Sequence, residues 1–141
     1  MKKLPIGIST LRKIIEGNYA YVDKTKVALD LIENGGYYFL SRPRRFGKSL
    51  FLDTLREIFL GNKELFKGLY IYDRYEFKEH PVIKISFGSG SFKTKEDYNK
   101  RIFEILRKNE DELEIKCEDT LSNIGCFEEL IYKAYKKYKE Q

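Results

Sequence analysis

The stretch "YYFLSRPRRFGKSLFLDTL", residues 37–55, decides how this chain is read. It opens on a short apolar run (37–41), crosses an arginine-rich loop and closes on Gly47-Lys48-Ser49 at the start of a helical pattern. Gly-Lys-Ser ends the phosphate-binding loop G-x-x-x-x-G-K-[ST]. The first glycine of that pattern falls at position 42, which is Arg42 here. A phosphate loop needs backbone N–H groups curled toward the anion, a helix starting at the same point, a lysine for the phosphates and a hydroxyl for Mg²⁺. A strand running into a loop and then a helix meets the first two needs, and Lys48 and Ser49 stand at the offsets for the others. Pro43 offers a preset turn in place of the missing glycine. A plain basic surface loop that happens to precede a helix is the other reading of the same residues.

Working outward, the chain has 141 residues, long enough for one domain with a core. Hydrophobic residues make up 42% and charged residues 35%, the balance of a globular protein with a heavily charged surface. The net charge of +5 suits a polyanionic ligand, nucleotide or nucleic acid, or else a solvated lysine-rich surface. Eleven Tyr and ten Phe with no Trp place much of the apolar content in aromatics. Cys117 and Cys126 lack C-x-x-C spacing, and the single histidine, His80, lies far off in sequence. That spacing argues against zinc and for two reduced thiols in a cytosolic protein. Lys2 and Lys3 begin the chain as a signal peptide would, but no apolar segment follows before Arg12. No run approaches the ~20 apolar residues of a membrane span. The expected location is cytoplasmic, with no membrane partner.

Periodicity sets the elements. Ser9 or Thr10 is placed to cap a short helix ended by Gly17-Asn18, and Asp23 to cap a second, ended by Gly35-Gly36. A third helix runs from Lys48 to about Leu60; it is apolar on more than one side, so it is expected to be largely buried. Residues 37–41 and 82–87 read as buried parallel strands. Thr94 caps a long helix with Tyr98, Ile102, Ile105 and Leu106 inward. A last helix from about Cys126 turns Phe127, Leu130, Ile131, Ala134 and Tyr138 to one face. Strands alternating with helices predict an α/β fold, though with only two clear strands.

Beyond the loop, "GISTLRKIIEGNYAYVDKT", "YFLSRPRRFGKSLFLDTL" and "LFKGLYIYD" together resemble the AAA-ATPase-like family of prokaryotic P-loop proteins. "HPVIKISFGS" and "FEELIYKAYKKY" resemble it more loosely, so the resemblance covers nearly the whole chain. In that family the R-P-R-R-F-G-K-S form is the usual loop, so Arg42 is ordinary there. The resemblance implies an incomplete P-loop NTPase of the additional-strand type: a three-layer α/β core, rich in helices and with few parallel strands. It implies Mg²⁺ and ATP as ligands. Carried over by position, the nucleotide-binding set is Arg44, Arg45, Phe46, Gly47, Lys48, Ser49 and Leu50. Lys48, the catalytic candidate, contacts the β- and γ-phosphates, and Ser49 contacts the metal. Asp23-Lys24-Thr25 matches another recurring element of the family, placed to wall the nucleotide or simply to cap a helix.

Members of the family continue into a Walker B strand with acidic residues, often followed by a restriction-type nuclease domain. Neither is found in residues 1–141, and "LYIYD", ending in Asp73, is the nearest mimic of the acidic strand. The chain therefore reads as the N-terminal part of a larger ATPase that binds Mg-ATP and hydrolyses it poorly, with an open sheet edge for a second chain to complete. The alternatives are a basic nucleic-acid-binding module and an interaction fragment without nucleotide turnover. For the former, Arg42, Arg44, Arg45 and the lysines between Tyr132, Tyr135 and Tyr138 supply charge and stacking. His80 is expected at the surface, and residues 88–91 form a flexible loop after the second strand.

Overall fold

The computed structural model describes residues 1–88, 91–118 and 121–139. Its elements are α1 (Leu11–Glu16), α2 (Thr25–Asn34), α3 (Lys48–Phe59), a 3-10 turn (Lys63–Phe66), α4 (Lys95–Leu113) and α5 (Asn123–Lys139). They fall into two compact units, Met1–His80 and Pro81–Gln141.

The expected α/β core is not there. Among the described residues no strand forms, and the architecture is helical. Residues 37–41 and 82–87 have apolar, β-prone side chains, but a strand exists only when a neighbour takes its N–H and C=O groups. Segment 37–41 is the clearer failure, since Tyr37 is 106% and Phe39 92% exposed instead of buried.

In the first unit α1 packs on α3 and on the 3-10 turn. Leu11, Ala28, Leu29, Ile58, Phe66 and Ile71 are among the side chains that form the core. Each large one contributes about 1.5–3 kcal/mol by leaving water. The helix ends fall close to the sequence reading, with α2 closed by Gly35 at φ 61°. Gly61 is required where it stands: its φ is +76°, and a Cβ would meet the Phe77 carbonyl oxygen at 2.9 Å.

Helix α3 differs from expectation in what it buries. Its buried residues are Asp53, Thr54, Glu57 and Ile58, while Leu52 is exposed. The polar ones are buried because they are bonded. Asp53 Oδ2 accepts the buried Leu11 amide at 2.8 Å, and Glu57 accepts from Arg12 and Asn62. The carboxylates of α3 thus fasten α1, a role that apolar periodicity does not register.

In the second unit α4 packs against α5 around Leu106, Leu113, Cys126, Leu130 and Ala134. Thr94 Oγ1 accepts the Asp97 amide at 3.1 Å, the expected cap. Asn109, 1% exposed, replaces a sheet partner for the extended segment: it accepts from Lys84 N at 2.8 Å and donates to Lys84 O at 2.9 Å. Tyr98 and Ile131, expected inward, are 42% and 46% exposed. Cys117 and Cys126 are joined in a disulfide, not held as reduced thiols, with their Cα atoms 5.3 Å apart, inside the usual range for such a bond.

Candidate phosphate-binding loop

The loop is built from the start of α3 backwards. Gly47 is the N-cap residue in the left-handed conformation, φ 76°, and the Phe51 amide donates to its carbonyl at 2.9 Å. Arg45, two residues earlier, is also left-handed at φ 67°. A non-glycine residue held there costs about 1–2 kcal/mol. Alternation of this kind turns successive amides to one side, making a concavity suited to anions. The free amides of the first turn of α3 open in the direction of its positive end.

Lys48 is half-buried, and its Nζ donates to the carbonyls of Arg42 and Pro43, the latter at 3.2 Å. The lysine therefore bridges back over its own loop. Arg42, Arg44, Arg45 and Phe46 are exposed, as is Ser49, while Leu50 is half-buried against the core of the first unit. Among the described residues no ion pair engages Arg42, Arg44, Arg45 or Lys48. Four cations gather at the positive end of a helix dipole, the end that ordinarily attracts acidic residues, and the first turn of α3 holds none. A Cβ built on Gly47 meets nothing within 4 Å, so the space in front of the loop is open.

A groove of about 550 Å³ adjoins the loop, its walls including Tyr21, Val22, Lys24, Val27, Leu40 and Phe46. Arg42 and Gly47 also line it. Lys24 of the Asp-Lys-Thr element lines the same concavity as the loop. Asp23 and Thr25 do something else. Asp23 Oδ1 accepts from the Thr25 amide at 2.8 Å and hydroxyl at 2.6 Å, and Oδ2 accepts the Tyr70 amide at 2.7 Å. Thr25 Oγ1 accepts the Ile71 amide at 3.2 Å. The element is a clasp between the start of α2 and residues 70–71. Asp23 was expected to be the cap of α2, but the N-cap residue is Lys24 and Asp23 bonds the Thr25 amide from one position earlier; the long-range bond to Tyr70 had no local signal. Burial works against the Asp23 charge, but the bonds from Thr25 and Tyr70 outweigh it and hold the carboxyl below its ordinary range. Nearby, burial pushes the Tyr21 phenol up.

The remaining candidates are placed elsewhere. Asp73 is exposed in a turn, not at the end of a strand. His80 is half-buried, its amide bonded to the Phe59 carbonyl at 2.7 Å and its ring edge-on to Phe59. The expected flexible loop at 88–91 includes Ser89 and Gly90, which lie outside the described residues. On α5, Lys133 and Lys137 donate to the carbonyls of Lys116 and Leu113, both at 2.8 Å. Tyr132 and Tyr135 are exposed, while Tyr138 packs on the core of the second unit. Among the described residues no helix is long and apolar enough to cross a membrane.

The sequence matches the AAA-ATPase-like family, described as a predicted AAA-ATPase, over residues 5–141. The chain belongs to that family. An uncharacterised protein of the vnfD 5′ region of Azotobacter chroococcum mcd 1 is 55% identical over 136 residues, 95% of this chain and 26% of the relative. The chain thus spans about a quarter of that relative's length. No solved structure matches it.

Proposed function

We propose that this AAA-ATPase-like chain is an ATP-binding element, taking Mg-ATP at the 42–49 loop. The observation that carries the reading is the uncompensated charge: three arginines and Lys48 around the N-terminus of α3, on a loop with two left-handed residues. An anion there gains the loop amides, the helix dipole and the side-chain cations together. Lys48 exchanges its two carbonyl partners for the β- and γ-phosphates, and the amides of residues 44–50 cradle them. The exposed Ser49 hydroxyl is a hard oxygen donor of the kind Mg²⁺ takes, and it would hold the metal beside the phosphates. Bound there, Mg²⁺ screens phosphate charge. The adjoining groove has apolar walls and Lys24 at its edge, a setting for the base and ribose.

Turnover also needs an acid that positions and activates water. Asp73, exposed in a turn, does not supply it. The proposed activity of residues 1–141 is therefore binding with little hydrolysis. A nucleic-acid reading draws less support, since Lys133 and Lys137 are committed to carbonyls near the end of α4.

Calorimetry with Mg²⁺ and a non-hydrolysable ATP analogue tests the reading. Wild type should bind, and Lys48→Ala should bind at least ~10-fold more weakly, the loss of one charge-assisted contact. Equal binding by both, or binding by neither, would overturn it.

A further inference from the structure

In the second unit one carboxylate oxygen of Glu110 and the sulfurs of Cys117 and Cys126 lie within 4.8 Å of one another. Glu110 Oε1 accepts the Cys117 amide at 2.8 Å and stands 3.8 Å from Cys126 Sγ. All three residues line a pocket of about 430 Å³, together with Lys100, Arg107 and Lys116. Two sulfurs and a carboxylate oxygen on one pocket wall are a ligand set for a borderline-soft divalent cation.

We propose that reduction of the Cys117–Cys126 disulfide converts this cluster into a zinc site, with Glu110 as third ligand and water as fourth. A dithiol reductant supplies the two electrons. One of its thiolates attacks Cys117 Sγ, the S–S bond breaks, and the bonding pair leaves on Cys126 Sγ. The second thiolate of the reductant then displaces Cys117, closing the reductant's own disulfide and leaving two protein thiols. Zn²⁺ binds both as thiolates, and their two protons go to solvent.

Three features of the fold favour that product. Zinc holds sulfur at about 2.3 Å and carboxylate oxygen at about 2.0–2.2 Å, so the three ligand atoms need adjust only locally from their present cluster. Cys126 is the fourth residue of α5, and a helix N-terminus favours the thiolate. Two thiolates, one carboxylate and Zn²⁺ leave one net negative charge. Lys100, Arg107 and Lys116 face it, against one further anion in the lining, Glu104. Cysteine spacing alone argued against zinc because it counts only cysteine and histidine. The missing ligand is a glutamate on the preceding helix, seven residues before Cys117.

The test uses the full chain, reduced with a phosphine that leaves no competing thiol and then desalted without oxygen. Zn²⁺ alone is titrated against a chromogenic chelator, with circular dichroism recorded in each state. The reduced chain should bind one Zn²⁺ and the oxidised chain none, and Co²⁺ in its place should give a sulfur-to-cobalt charge-transfer band. Glu110→Gln should weaken binding by roughly 10–100-fold. Absence of zinc binding by the reduced chain would overturn the proposal. So would equal binding by the oxidised chain or by the Cys117→Ser/Cys126→Ser variant, or binding by Glu110→Gln as tight as by wild type. If the double variant fails to fold, the oxidised wild type remains the control that lacks free thiolates.

Discussion

Lys48 reaches two carbonyls of its own loop, and among the described residues no ion pair engages the three arginines nearby. Gly47 decides how closely an anion can approach them. Its φ of 76° strains any L residue by about 1–2 kcal/mol, while a Cβ there would meet only open space. Gly47→Ala should therefore lower stability slightly, by about 1 kcal/mol, and weaken binding of the ATP analogue more than stability alone explains. Thermal unfolding and calorimetry on the same sample separate the two effects; an unchanged affinity would exclude close backbone approach at residue 47. Asp23 gives a pH prediction. Its folded pKa is lowered, so its contribution is present above the unfolded value of about 3.9 and disappears as pH falls through the folded value. Asp23→Ala should lose no more than about 1 kcal/mol at pH 7, since solvent screens this exposed carboxylate, and flatten the dependence of stability on pH below about 4. Urea unfolding across that range checks it, and an unaltered acid slope would remove the clasp from the account.

At the scale of elements, helices were legible because their signals are local. The Thr94 cap, the Gly35 stop and the start of α3 at Lys48 each depend on a few neighbouring residues. The two strands read from sequence do not form among the described residues, because a strand is a property of two paired segments and composition reports only on one. Residues 37–40 have the composition of a buried strand and end up exposed. The core of α3 was misread for a related reason: Asp53 and Glu57 are buried by partners 42 and 45 residues away. The loop residues can be named from sequence because they are consecutive. Those of the groove beside it cannot, since its walls come from segments separated along the chain. On α5, Lys133 is tied to Glu129, Glu118 and the Lys116 carbonyl. Binding of single-stranded DNA to the chain should accordingly be weak and should not change with Lys133→Ala, as filter binding at low salt would show. A large loss on that substitution would revive a nucleic-acid role for α5.

At the scale of the molecule, the two units have separate cores, one around α1–α3 and one between α4 and α5. Tyr37, Phe39 and Leu40 form an exposed apolar run on the first of them. Such a run promotes association. Light scattering should show oligomers at high concentration, reduced by Tyr37→Lys/Phe39→Lys; a concentration-independent monomer in wild type would contradict this. The central claim, that the 42–49 loop is a nucleotide cradle, is tested most directly by amide hydrogen exchange with and without Mg²⁺ and a non-hydrolysable ATP analogue. Protection should rise at the amides of residues 44–50 and be lost in Lys48→Ala. Nucleotide that binds without protecting those amides, or protection that survives the substitution unchanged, would contradict it.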